Sequence, residues 1–111
     1  MRKPSVLIAL TLTVAGAVFS QEFRGTIGGI VTDPSGADIV GAKVVATEIR
    51  TGTKTSTFSD SAGQYAIPFL APGDYQIAGS MAGFKEFVRK EIHLGAGEHP
   101  TVDIQIGRSH V

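Results

Sequence analysis

The stretch Ser59–Ile77, SDSAGQYAIPFLAPGDYQI, holds two chain reversals and two alternating runs, and its reading decides the fold. Asp60-Ser61-Ala62-Gly63 puts Asp and Gly at the first and fourth positions of a type I turn. Gln64–Leu70 then alternates, with Tyr65, Ile67 and Phe69 facing one way. Ala71-Pro72-Gly73-Asp74 suits a type II turn, because Pro72 fixes φ at the second position and Gly73 accepts positive φ at the third. Tyr75 and Ile77 resume the alternation. Period-two runs between turn residues, with no helical spacing, read as strands of a half-buried sheet.

The same pattern extends outward. Asp33-Pro34-Ser35-Gly36 has the residues of a type I turn, and Thr51-Gly52 and Ala82-Gly83 mark two more reversals. Seven strands are predicted: Gly25–Thr32, Ala42–Arg50, Thr53–Ser59, Gln64–Leu70, Asp74–Met81, Phe84–Leu94 and Thr101–Gly107. The expected class is all-β, a seven-stranded Greek-key β-sandwich. Its core is predicted to hold Tyr65, Ile67, Phe69, Tyr75, Ile77, Val102, Ile104 and Ile106, with Ile30, Val44, Val88 and Ile92. Phe87 is out of phase with Val88 and Ile92, which a bulge would reconcile. Pro68 cannot donate to a ladder, so its strand is expected at a sheet edge or with its N–H side facing out, and the polar run Lys54-Thr55-Ser56-Thr57 suits a sheet edge.

Before this domain lies a segment of different character. Arg2 and Lys3 precede the uncharged run Val6–Phe19, whose 14 residues suit a signal h-region and fall short of the roughly 20 that span a bilayer. Cleavage is expected between Ser20 and Gln21, with cleavage after Ala17 as the alternative and an uncleaved anchor as the rival reading. The division is then 1–20 signal peptide, 21–108 sandwich and 109–111 tail, with export to the periplasm or the extracellular space. Without Arg2 and Lys3, eight of the ten basic residues face ten acidic ones, a formal charge of −2. That offers no field for nucleic acid, and no membrane-spanning segment is expected after cleavage. With no cysteine there is no disulfide, no thiolate nucleophile, no Cys-type zinc site and no lipoprotein anchor.

The order of the motifs resembles a known family. Gly29-Ile30-Val31-Thr32-Asp33 with Gly36, and Val40-Gly41-Ala42-Lys43-Val44, open the pattern. Asp60 with Gly63, Gln64-Tyr65, Pro72-Gly73-Asp74-Tyr75 and Gly83-Phe84 continue it. Together they are similar to the carboxypeptidase regulatory-like domain, a transthyretin-like sandwich. The wording GTIGGIVTDPSGADIVGAKVVATEIRTG is similar to the leading domains of Oar-like TonB-dependent outer-membrane receptors of acidobacteria. The resemblance implies a periplasmic module ahead of a plug and barrel. Neither follows before Val111, so transport is not carried over, and the chain is expected to be an independent module or the leading piece of a receptor.

His93, His99 and His110 have no spacing for a metal pair and no implied carboxylate partner, and nothing resembles an H-x-x-E zinc motif. No enzyme, metal or cofactor is therefore expected. Asp33, Asp60 and Asp74 stand alone in turns that already explain them, too few for calcium. With no asparagine, a Lys–Asn isopeptide is excluded, and only a Lys43–Asp variant relayed by Glu48 stays open. A glycan platform, if present, should involve Phe58 and Phe87, whose faces alternation leaves unassigned. The default function is a protein partner in the periplasm or at the outer membrane, bound by strand addition at Thr53–Ser59 or at the edge carrying Pro68.

Overall fold

The computed structural model describes residues 23–109; the expected leader, its cleavage point at Ser20–Gln21, His110 and Val111 lie outside them. The strands are β1 (Gly25–Thr32), β2 (Lys43–Glu48), β3 (Lys54–Phe58), β4 (Gln64–Leu70), β5 (Gly73–Ser80), β6 (Phe87–Leu94) and β7 (Ile104–Gln105). They form a three-stranded sheet, β4-β1-β7, and a four-stranded sheet, β3-β2-β5-β6, which together make the all-β sandwich the sequence predicts. β1 and β7 pair in parallel; the other named pairs are antiparallel. Among the described residues no helix is long and apolar enough to cross a membrane.

The Asp33 and Asp60 turns form as their chemistry dictates. Gly36 N–H donates to the Asp33 carbonyl (2.9 Å), and Asp33 Oδ1 accepts from Ser35 N–H, Ser35 Oγ and Ala37 N–H. Those bonds, the Ser35 hydroxyl foremost, hold the Asp33 carboxyl below its ordinary pKa. Asp60 repeats the arrangement, with Oδ1 accepting from Ala62 and Gln64 N–H and its carbonyl from Gly63 N–H. Gly63 sits at φ 76°, which L-residues rarely adopt. The Pro72-Gly73 reversal departs from type II. Gly73 has φ 158° rather than the roughly 80° of that turn, and is already the first residue of β5.

The core between the sheets holds Tyr65, Ile67, Tyr75, Ile77, Val44, Ile92, Val102, Ile104 and Ile106, joined by Ile27, Val31, Leu70 and Leu94. Burying each aliphatic side chain contributes about 1.5–3 kcal/mol. Three predicted core residues are exposed: Phe69 (74%), Val88 (44%) and Ile30 (37%). Two bulges account for the first two. Ile27 pairs with Ile67 and Gly25 with Leu70, so β4 carries one extra residue where β1 carries none. The extra residue reverses the alternation, turning Leu70 inward and Phe69 out at φ 62°. In β6, Tyr75 pairs with Ile92 and Ile77 with Arg89, which leaves Glu91 at φ 64°. The predicted bulge is there, but it sends Phe87 toward the core and Val88 outward. Ile30 is a simple error of phase, since Gly28 and Gly29 show no side chain to mark the buried face of β1.

β3 and β4 lie at sheet edges, as the polar run and Pro68 predict; the other two edges are β6 and β7.

A candidate binding groove

The β4-β1-β7 sheet carries a groove of about 660 Å³. Its floor includes Gly28 and Ala66, opposed in the β1–β4 register, so small side chains leave the backbone accessible. One wall comes from the β3–β4 connection, where the tight Asp60–Gly63 turn brings Phe58 (62% exposed) and Asp60 beside Gln64. The other wall is the segment carrying His99, Thr101 and Asp103. That segment is held along β1 by Thr26 N–H to Glu98 O (3.0 Å), Gly28 N–H to Pro100 O (3.3 Å) and Val102 N–H to Gly28 O (2.7 Å).

Both groove carboxylates are braced by backbone donors. Asp60 Oδ1 serves its turn, and Asp103 Oδ1 accepts Ile30 N–H at 3.1 Å. Beneath the floor, Tyr65 Oη donates to Val102 O, and burial pushes its phenol pKa up. The groove therefore offers an aromatic rim, two carboxylates, a carboxamide and an imidazole above a narrow floor. Such groups suit stacking and hydrogen bonding to a polar ligand. Among the described residues no three of His, Asp and Glu converge to hold a metal.

The structure separates the two aromatic candidates. Phe58 stands on the groove's rim. Phe87 is partly buried against the core on β6, at the opposite edge of the four-stranded sheet. The two do not share a surface. Of the turn residues, Asp60 lines the groove with Gly63 in its turn, whereas Asp33 and Gly36 belong to the loop after β1 and Pro72-Gly73 to the β4–β5 reversal. The Lys43–Glu48 relay is corrected: the two begin and end β2, five residues apart, or about 16 Å at strand rise. His93 does have a carboxylate partner, contrary to expectation. Its Nδ1 lies 3.0 Å from Asp74 Oδ1 across the β5–β6 register, and this hydrogen bond raises the His93 pKa. The sequence reading missed Gly28, Gln64, Ala66, His99 and Asp103 as groove residues. No local signal marks them, because only the β1–β4 and β1–β7 pairings bring them together.

Comparison with known proteins agrees with this architecture. Over 110 residues the chain is 31% identical to the TonB-dependent transporter Oar of Myxococcus xanthus, covering 96% of this chain and 10% of that protein. Among solved structures, the Bacillus anthracis TIE protein superposes with TM-score 0.64 at 17% identity, over 77% of this chain and 16% of that one. A candidate carbohydrate-binding protein of Bacteroides uniformis superposes with TM-score 0.58 at 18% identity, over 74% and 40%. Catechol 1,2-dioxygenase of Acinetobacter radioresistens does so with TM-score 0.61 at 13% identity, over 86% and 55%. These three share the fold alone. The model of the carboxypeptidase regulatory-like domain matches residues 26–107, and the chain belongs to that family.

Proposed function

We propose that this chain is a non-catalytic, exported binding module of the bacterial cell envelope, filling the role of the leading domain of a TonB-dependent receptor. The observation that carries the reading is the 31% identity to Oar across 96% of the chain. The non-catalytic part rests on the groove, whose two carboxylates are engaged by backbone N–H groups rather than paired with a nucleophile or base. Expressed with its leader in a Gram-negative host, the protein should be recovered from the periplasmic or outer-membrane fraction with Gln21 at its N-terminus. A photo-cross-linking residue at Ala66, on the groove floor, should capture an envelope component. Recovery of the full-length chain from the cytoplasm would overturn the reading.

A second reading, a glycan ligand, is favoured by Phe58 alone, since an aromatic side chain 62% exposed beside carboxylates and a carboxamide is the arrangement that stacks on a sugar ring. Titration with soluble oligosaccharides should give binding that falls at least tenfold on Phe58→Ala. Equal affinity in the variant would remove sugar stacking from consideration.

A further inference from the structure

We propose that β3 is a self-association edge, and that two copies of this chain pair antiparallel through it to form one continuous eight-stranded sheet. This goes beyond the groove, whose floor lies on the other sheet and to whose rim β3 contributes its last residue, Phe58.

The argument begins with how each edge is guarded. An exposed strand invites foreign strands unless a proline, a bulge, clustered charge or shortness discourages them. β4 carries Pro68 and a bulge that throws Phe69 outward at φ 62°. β6 carries Arg89-Lys90-Glu91 and a bulge with Glu91 at φ 64°. β7 is two residues long. β3, Lys54-Thr55-Ser56-Thr57-Phe58, is regular along its whole register with β2 and has one charge, Lys54. Among the described residues, three edges are closed and the fourth is open.

The open edge is also self-complementary. Glu48 N–H donates to Thr53 O and Ser59 N–H to Ala42 O, so the bonded pairs of the β2–β3 ladder fall on the odd-numbered β3 positions. The backbone groups of Lys54, Ser56 and Phe58 therefore point away from β2. An antiparallel copy centred on Ser56 sets Ser56 against Ser56 and Lys54 against Phe58. All three outward residues then find partners. The two lysines do not meet; each lies over the exposed Phe58 ring of the other copy, a cation–π arrangement. On the inner face Thr55 meets Thr57, a favourable cross-strand pair. A dimer would also present two grooves at once, which raises the avidity for a repeating ligand.

The test is sedimentation of the exported protein over a concentration series, with three variants. Ser56→Pro removes only an outward N–H, so the fold and groove should persist while the dimer's dissociation constant rises at least tenfold. Ser56→Cys should form a disulfide-linked dimer in this cysteine-free chain, because facing residues of such a pair have Cα atoms about 5.5 Å apart. Lys54→Cys, offset by four residues from its own copy, should not. A wild type that stays monomeric at millimolar concentration, or equal cross-linking at positions 54 and 56, would overturn the proposal. Ligand binding by Ser56→Pro reports on the groove separately, so failure of the one reading is distinguishable from failure of the other.

Discussion

Tyr65 Oη on β4 donates a 2.5 Å hydrogen bond to the carbonyl of Val102, reaching across the full width of β1 to the segment on its far side. Gly29, opposite Tyr65 in the register, lies between them. One side chain thereby ties β4, across β1, to the segment that leads into β7. Tyr65→Phe leaves a buried carbonyl without its donor and should cost about 1–3 kcal/mol. Thermal unfolding should show a drop of about 4–8 °C for each kcal/mol lost.

Burial raises the pKa of both tyrosines; at Tyr75, desolvation acts first and the charge of Glu48 second. A phenol whose pKa is raised by folding adds stability that is complete below its unfolded value of about 10 and declines as pH climbs above it. Phenolate absorbance should therefore appear together with loss of the β-sheet circular dichroism signal, not before it. Free ionisation of either tyrosine near pH 10 in the folded protein would contradict the buried geometry.

Gly29 should tolerate no side chain. A Cβ there would lie 2.2 Å from Val102 O and 3.0 Å from Asp103 Oδ1. Gly29→Ala must push the 98–106 segment away from β1 and should cost about 1–3 kcal/mol, the usual range for overpacking. Urea denaturation would measure it. A neutral result would mean that the segment can shift without loosening the sheet.

At the β4 bulge, neighbouring substitutions should have opposite signs. Phe69 holds φ 62° and is largely exposed, so Phe69→Gly relieves backbone strain and should raise stability by up to about 1 kcal/mol. Leu70 is 5% exposed, and Leu70→Ala should cost about 2–5 kcal/mol. Matched denaturation curves settle both, and an unstable Phe69→Gly would show that the ring packs where the structure exposes it.

The His93–Asp74 pair is largely exposed, so its signature is spectroscopic. Donation of the His93 Nδ1–H to the Asp74 carboxylate raises the His93 pKa, so its stabilising contribution is complete below about pH 6.5 and disappears as pH rises through the folded value. NMR titration should place the His93 midpoint above 6.5 in the wild type and move it down in Asp74→Asn. No change in the variant would remove the pairing as its cause.

What the sequence made legible was local. Turn chemistry at Asp33–Gly36 and Asp60–Gly63 delimits the strands around it, and β1 and β4 have the predicted ends. The polarity of β3 and the proline of β4 placed both at edges. What stayed hidden depends on pairing. Alternation assigned Phe69 and Val88 to the core because a bulge shifts phase only once a partner strand fixes the register. The parallel β1–β7 pair left no mark in composition, and with it went the groove wall at His99–Asp103.

That parallel pair has a mechanical consequence. The polypeptide comes into the sandwich at the Gly25 pole and leaves past Ile106 at the other, about 26 Å away along the eight residues of β1. Tension between those poles drags β1 and the 98–106 segment in opposite directions along their shared length. The bonds Thr26–Glu98, Gly28–Pro100, Val102–Gly28 and Ile106–Thr32 then share the load in shear and must yield together, whereas an antiparallel hairpin pulled from its ends opens one bond at a time. A module wired this way behaves as a stiff link under pull.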